Sequence, residues 1–180
     1  MAKRLNSQRM NIAETYAYLV RARRDLGHAL QTVPDEILSR PLLDGSRFHC
    51  IKDLVFHVAS VEDFWIHEDI LHDQPVLNTT DGLKYIDGRG AYAGFALGML
   101  LDYWRSVEQS TLTYLPSLTD DELRRIVIVH DSPSDRFTVD GLLWHIMIHE
   151  MRHTAQIAML LRMQGIKPPS LDLLFYLPSA

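Results

Sequence analysis

The sequence predicts an all-α fold, a four-helix bundle that forms a single domain over residues 1–180. Four segments have the apolar periodicity of amphipathic helices, which is the first observation behind this prediction. The length of 180 residues suits one domain, and no repeat, low-complexity tract or linker divides the chain. With 47% hydrophobic and 23% charged residues, the composition is that of a globular protein able to bury a core.

The first helix is predicted from about Gln8 to Val33. Apolar residues such as Ile12, Leu19 and Leu26 recur there at steps of three, four and seven, which places them on one helical face. Pro34 cannot continue the helix and therefore ends it.

A second helix is predicted from about Phe48 to Leu71, with Leu54, Val58 and Trp65 on one face. The following segment, His72 to Gly90, contains too many proline, glycine and Asn-Thr-Thr-Asp-Gly turn signals for a regular element. It is interpreted as a long crossover loop. Because a long loop lets the next helix run parallel to the previous one, we expect an up-down-down-up bundle.

The third helix is predicted from about Ala91 to Leu115, and Pro116 stops it. The acidic residues Asp120 to Glu122 then resemble the first turn of a short helical piece. Negative charge is favourable at that end of a helix because it offsets the helix dipole.

A small hairpin and the last helix complete the prediction. The β-branched runs Ile126 to Val129 and Arg136 to Val139 flank a Ser-Pro-Ser-Asp turn signal. Thr138 can cap the last helix, which is expected to run to about Met163. Gly165 lies just past that end, where glycine commonly terminates a helix.

Charge and hydropathy exclude two classes of partner. With 18 Lys and Arg against 23 Asp and Glu, the net charge is −5, so we expect no nucleic-acid partner that is bound through its phosphates. The longest uncharged apolar stretch, about Gly90 to Leu101, is shorter than the roughly 20 residues needed to cross a bilayer. We therefore expect no membrane partner either.

The cellular compartment is predicted from the cysteine count and the N-terminus. The single cysteine, Cys50, excludes an intramolecular disulfide and a thiolate-rich zinc site, and suits a reducing cytoplasm. We expect it to be a small apolar residue, half-buried. Lys3, Arg4 and Arg9 lie near the N-terminus, but no apolar stretch typical of a signal peptide follows them. The sequence therefore predicts a cytoplasmic protein.

Two histidines on the last helix indicate chemistry. His149 and His153 are four residues apart, so on a helix they lie about 5 to 6 Å from each other on one face. They belong to the inward stripe formed by Leu142, Ile146 and Ile157. Burying two neutral imidazoles without partners costs free energy, and a shared metal ion removes that cost. The alternative is a pair of core histidines satisfied by backbone or carboxylate groups.

A third ligand would favour the metal, and His57 is the candidate because it lies on the inner side of the second helix at mid-height. His67 and His72 fall nearer the end of that helix, where we expect a solvated or capping role. His145 is left out of the metal site. Three consecutive histidines at this spacing put the first and last about 12 Å apart along the axis, which is too far for one ion.

The segment His149-Glu150-Met151-Arg152-His153 also matches H-E-x-x-H, the zinc peptidase signature. The longer form of that signature needs a glycine and a third histidine where this chain has Gln156 and Met159. No glutamate follows Glu150 to serve as the alternative third ligand. We therefore expect Glu150 to be a solvated residue flanking the site, with a general-base role as the alternative.

Two segments carry a family resemblance. They are Asp53-Leu54-Val55-Phe56-His57-Val58-Ala59 and the stretch from His145 to Gln156, which leads into Leu160-Leu161-Arg162 and Gly165. With these segments the sequence resembles the DinB/YfiT-like superfamily of metal-dependent four-helix bundles over nearly the whole chain. Thr154-Ala155 stands where that family commonly has Arg-Gly.

The resemblance implies a function. His57, His149 and His153 would bind a divalent metal, with zinc or nickel favoured over iron or manganese, and Gln156 would orient a neighbouring group or the substrate. Relatives include transferases of low-molecular-weight thiols such as bacillithiol, and mycothiol-dependent isomerases. We therefore expect a metal-dependent thiol transferase acting on a small-molecule electrophile. The alternatives are a non-catalytic, stress-related metal- or ligand-binding protein and an H-E-x-x-H hydrolase.

Self-association is the last expectation. Trp65, Trp104 and Trp144 cannot all point inward on a narrow bundle, and exposed apolar patches often mark contacts between proteins. The sequence therefore predicts a homodimer.

Overall fold

The computed structural model describes residues 11–42, 45 and 48–177. The predicted all-α class is confirmed for this part of the chain, which folds as a helical bundle with one small hairpin. The start of the first predicted helix, at Gln8, lies outside the described residues, and the up-down-down-up order stays a prediction. The α-helices of this part are α1 (Ile12–Gln31), α2 (Asp35–Ser39), α3 (Ile51–Phe64), α4 (Leu97–Tyr114), α5 (Asp120–Arg124) and α6 (Val139–Met163).

Side-chain caps fix where two of the long helices begin. The Asn11 side chain accepts a hydrogen bond from the backbone N–H of Glu14, and the Glu14 carboxylate accepts one from the Asn11 backbone. This reciprocal pair satisfies two backbone donors that the first turn leaves free. At α6 the predicted cap is confirmed, because the Thr138 hydroxyl accepts from the Gly141 backbone N–H.

The helical segment that contains α3 extends beyond Phe64, the last α-helical residue. It continues as a π-helical segment, Trp65–Leu71, so the predicted end at Leu71 is confirmed. His72 then adopts a left-handed backbone with φ of 54°. This conformation stops the helix and starts the crossover to α4.

Two aspartates of α3 hold the crossover against the bundle. Asp63 is fully buried and accepts hydrogen bonds from the backbone N–H groups of Val76 and Leu77 and from the Tyr103 hydroxyl, at 2.8 to 2.9 Å. Burial raises the pKa of this carboxyl, and these hydrogen bonds oppose that rise. The start of the crossover is therefore fixed to the C-terminal end of α3 and to α4.

The second aspartate explains why α4 begins at Leu97 rather than near Ala91. Asp53 accepts hydrogen bonds from the backbone N–H groups of Gly90 and Tyr92, at 2.8 and 3.0 Å. The Tyr92 ring also stacks on Phe56, with ring centroids 3.7 Å apart. Because the carboxylate and the stacked ring fix residues 90–92 in a turn, the helix begins only after them.

The predicted hairpin is present. Strands β1 (Ile126–Ile128) and β2 (Arg136–Thr138) pair antiparallel, with Val127 opposite Phe137. Val127 is buried, which anchors the hairpin to the bundle. The short helix α5 also lies where the acidic residues predicted it.

The core is apolar, with residues such as Leu26, Leu54 and Ile157 fully buried. Cys50 is also fully buried rather than half-buried, and burial raises the pKa of its thiol to about 11. In the described part of the chain, no helix combines the length and the hydropathy of a membrane span. Trp104 is buried whereas Trp65 and Trp144 are half-buried, and self-association stays a prediction.

A buried ionic cluster joins the four long helices. The Arg23 guanidinium of α1 binds Glu150 of α6 through two nitrogens, at 2.6 and 3.1 Å. It also binds Glu62 of α3 at 2.9 Å and Glu108 of α4 at 3.3 Å. All four residues are between 1% and 5% exposed. We call these residues the Arg23 cluster.

The Arg23 cluster corrects the expectation that Glu150 is solvated. The helical rotation of about 100° between consecutive residues turns Glu150 away from His149, but it turns it toward α1 rather than toward water. Burial disfavours the charged guanidinium, yet Glu150 and Glu62 outweigh this effect and raise the pKa of Arg23. Tyr16 and Thr111 donate further hydrogen bonds to Glu62.

We predict that Arg23→Met lowers the free energy of unfolding by about 3 to 5 kcal/mol, because it leaves the buried carboxylates of Glu62 and Glu150 without their cation. Urea unfolding followed by circular dichroism measures this change. Arg21→Met, an exposed position on the same helix, is the control and is expected to change stability by no more than about 0.5 kcal/mol. Equal stabilities of the two variants would contradict the role given to the cluster.

Candidate metal centre

Three histidines from two helices converge inside the bundle. His57 comes from α3, while His149 and His153 lie one turn apart on α6. The Nε2 atoms of His57 and His149 are 3.0 Å apart, and one nitrogen donor from each of the three rings lies within 4.8 Å of the others. His149 and His153 are buried at 7% and 4% exposure, and His57 is half-buried. The structure thus brings together the three residues predicted as ligands, and their binding of a metal stays a prediction.

Burial keeps the α6 histidines neutral. It lowers the pKa of His149 to about 3, and the neighbouring His153 and His57 rings add to the effect. Burial also lowers the pKa of His153, although its hydrogen bond with Gln156 opposes the change. At neutral pH these imidazoles therefore keep the lone pairs that a metal ion needs.

Two neighbours fix the tautomer of His153. Its Nδ1 lies 2.6 Å from Oε1 of Gln156, and this amide oxygen can only accept, so Nδ1 carries the proton. Its Nε2 lies 3.0 Å from Nη2 of Arg152, and a guanidinium can only donate, so Nε2 is the acceptor. Both contacts leave the lone pair of His153 on Nε2.

The donor set fits a divalent ion. Zinc–nitrogen bonds of about 2.0 to 2.1 Å place tetrahedral ligands roughly 3.3 Å apart, close to the 3.0 Å between His57 and His149. The carbonyl oxygen of the Gln156 side chain holds the far nitrogen of His153, which is the usual arrangement behind a metal-binding histidine. Zinc, nickel, iron and manganese all accept imidazole, so the ligands alone do not choose among them.

One side of the centre opens into a cavity of about 430 Å³ along α6. Phe48 lies between this cavity and a small pocket next to His57. The Phe48 ring packs against the rings of His57 and His153, with centroids 4.2 and 5.6 Å apart. A small molecule in the larger cavity would therefore lie beside His153. The cavity is lined by Phe48, Arg152, His153, Gln156, Met159, Leu160 and Met163.

The other histidines considered from the sequence lie outside this group. His145 is exposed, and its ring centroid is 5.8 Å from that of His149, so its exclusion from the group agrees with the structure. His67 is buried rather than solvated, and its Nε2 lies 2.9 Å from the Ser110 hydroxyl and 3.7 Å from Asp63.

The H-E-x-x-H interpretation requires a glutamate that can reach a water molecule at the metal. Here the Glu150 carboxylate is in the Arg23 cluster, where Arg23 binds both of its oxygens. It is buried on the side of α6 that faces α1. This geometry does not support Glu150 as a general base.

Comparison with known proteins identifies the family. The DinB family model matches residues 1–180, the whole chain. The chain belongs to the DinB family. No curated protein matches the sequence.

Three solved structures share the fold of this DinB family member. YfiT from Bacillus subtilis, described as a probable metal-dependent hydrolase with an unusual four-helix bundle topology, superposes with a TM-score of 0.66 at 18% identity, covering 93% of this chain and 95% of its own. A DinB-like protein from Bacillus cereus gives 0.59 at 19% identity, over 88% and 96%. A conserved protein from Enterococcus faecalis gives 0.65 at 16% identity, over 86% and 97%. At these identities the likeness concerns the fold.

Sequence reasoning missed two features of the site. It could not place Arg152, which the structure puts against His153 at the edge of the cavity. It also did not assign a role to Phe48, which packs on two of the three histidines. Neither contact leaves a signal in helical periodicity, because one residue faces outward and the other precedes the helix.

We predict that the purified, untagged protein holds about one divalent ion per chain when no chelator is used. His57→Ala and His149→Ala are expected to lose it, because each removes a ligand. His145→Ala, the matched histidine on the same helix, is expected to keep it. Elemental analysis of the four proteins measures this, and a metal-free wild type that cannot be loaded with zinc, nickel or manganese would overturn the assignment.

We predict that Gln156→Leu lowers metal affinity about 10- to 100-fold, because it removes the acceptor that holds the proton of His153 on Nδ1. Competition with a colorimetric zinc indicator measures the dissociation constant. Gln109→Leu, at an exposed glutamine on α4, is the control and is expected to match the wild type. Unchanged affinity in Gln156→Leu would show that this hydrogen bond does not support the site.

Proposed function

We propose that this protein is a divalent-metal-dependent enzyme that transfers a low-molecular-weight thiol to a small electrophile. The observation that carries the proposal is the convergence of three histidine nitrogens beside an open cavity. Membership of the DinB family supports a metal at this position. Zinc and nickel are the metals we favour, with iron and manganese as the others to be tested.

A divalent ion held by the imidazoles of His57, His149 and His153 would keep its full charge and would lower the pKa of a thiol bound to it. The protein itself sets the protonation and the orientation of the histidines. Neutral His149 and His153 keep their lone pairs, and Gln156 fixes the orientation of the His153 ring. The cavity next to His153 offers room for the electrophile.

The reaction is a substitution at carbon. The sulfur of the thiol forms a bond to the electrophilic carbon, the bond from that carbon to its leaving group breaks, and the thiol proton passes to solvent. Cys50 is not the nucleophile, because it is fully buried and its pKa is raised to about 11. The thiol therefore comes from a separate small molecule, such as bacillithiol, mycothiol, coenzyme A or glutathione.

Metal-dependent hydrolysis is the second candidate, and the comparison with YfiT favours it, since that protein is described as a probable metal-dependent hydrolase. In this case water would take the place of the thiol at the same centre. The Glu150 carboxylate would not act as the base, because Arg23 holds it. A hydrolase of this kind would therefore differ from the H-E-x-x-H peptidases.

We predict that one of the four thiols raises the melting temperature of the metal-loaded protein, because a ligand that binds only the folded state stabilises it. With iodoacetamide or iodoacetate as the electrophile, the metal-loaded protein is expected to alkylate the same thiol faster than the reaction without protein. Iodide release measures the rate. The loss of this acceleration in His149→Ala, but not in His145→Ala, would assign it to the candidate metal centre.

The outcomes separate the proposals. Cleavage of a nitrophenyl ester that needs the metal, without thiol transfer, would favour hydrolysis. Bound metal without either activity, under all four thiols, would favour the non-catalytic metal- or ligand-binding protein and would contradict the transferase.

A further inference from the structure

The cavity next to His153, which we call the α6 cavity, has an apolar wall along α6. Met159 and Met163 line it, and they are 58% and 65% exposed although both are large apolar side chains. Leu160 and Phe48 add further apolar surface. An exposed wall of this kind is typical of a binding site for a ligand with an apolar body.

Among the described residues that line this cavity, Arg152 is the one with a formal charge, and it lies against His153. Among the described residues its guanidinium pairs with no carboxylate, and its Nη2 instead donates to Nε2 of His153. No aspartate or glutamate belongs to the described lining of the cavity. The positive charge of Arg152 is therefore not neutralised within the cavity.

The contact between Arg152 and His153 places two cationic groups in competition for one lone pair. Nε2 of His153 is the atom left free for a metal, because Gln156 accepts the proton on Nδ1. If a metal takes Nε2, the Arg152 guanidinium must find another acceptor. Arg152 is exposed, so water can accept from it, but because no carboxylate lines the cavity among the described residues, an anionic ligand would form the stronger, charge-assisted contact.

A second cavity, of about 270 Å³ between α1 and α4, shows the contrast. It also contains arginines, but Arg24 binds Glu108 and Arg105 binds Asp102. Its charges are thus paired by the protein itself. Arg152 pairs with no carboxylate among the described residues, and this distinguishes the α6 cavity from the cavity between α1 and α4.

We propose that the α6 cavity binds a small organic anion, with its carboxylate on Arg152 and its apolar body against Met159 and Met163. This inference rests on the proposed function, in which the ligand is the electrophile that receives the thiol. It names the substrate class as amphiphilic carboxylates. The charge, the exposed apolar wall and the position next to His153 all favour this class.

Calorimetric titration of the metal-loaded protein tests the proposal, with hexanoate as the anionic probe and hexanamide as its neutral match. The wild type is expected to bind hexanoate at least about tenfold more tightly than hexanamide, because only the anion forms an ion pair with the Arg152 guanidinium. Arg152→Met is expected to remove this preference, and Arg152→Lys to restore part of it. Metal content is measured in every variant.

Two control variants keep the test sharp. Arg162→Met removes an exposed arginine of α6 that does not line this cavity, and is expected to bind both probes as the wild type does. Met159→Glu puts a negative charge on the apolar wall and is expected to weaken hexanoate binding. Ile148→Glu makes the same change at an exposed apolar position outside the cavity, and is expected to have no effect.

Equal binding of hexanoate and hexanamide by the wild type would overturn the proposal. So would a hexanoate preference that survives in Arg152→Met and disappears in His149→Ala, because the anion would then bind the metal rather than the arginine. The thiol-transfer assay is separate from these titrations. Thiol transfer without a preference for hexanoate would refute only this inference. A preference for hexanoate without thiol transfer would refute only the proposed function.

Discussion

The rest of the bundle depends on the Arg23 guanidinium, because this group binds one glutamate from each of the other three long helices. Burying four charged groups is costly, and an apolar replacement of similar volume is often no less stable. What the cluster adds is a fixed register. Glu150 lies next to His149 and three residues before His153 in α6. The contact between Glu150 and Arg23 therefore sets the rotation of α6. This rotation in turn sets the direction of both histidine side chains.

Helix α3 connects this frame to the candidate metal centre. Glu62 lies in the Arg23 cluster, His57 lies in the histidine group, and Asp53 and Asp63 hold the crossover loop. One helix thus positions a candidate ligand, a buried charge and both ends of a long loop. A displacement of α3 would change all of them together, which links the stability of the bundle to the geometry of the site.

Much of this arrangement was readable from the sequence. Apolar periodicity predicted the long helices, and the four-residue spacing of His149 and His153 within an apolar stripe predicted a shared face. Periodicity failed where a charged residue was buried. Arg23 lies four residues after Leu19 and three before Leu26, on the inward face of α1, but its partners come from helices up to 127 positions away, and only the fold brings them together. The start of α4 was wrong for a similar reason, because Asp53 competes for backbone groups that a helix would otherwise use.

The crossover is attached to the bundle at two points, and the number of residues between these points could change. Val76 and Leu77 are fixed by Asp63, and Gly90 and Tyr92 are fixed by Asp53. Between these points Asp81 and Gly82, and then Asp87 to Arg89, are exposed. Because the entropy of closing a loop rises only slowly with its length, extra residues inserted there would cost little and would leave the anchored ends, and therefore His57, in place. The crossover is thus the segment through which a new lid or specificity loop could be added to this bundle without rebuilding its centre.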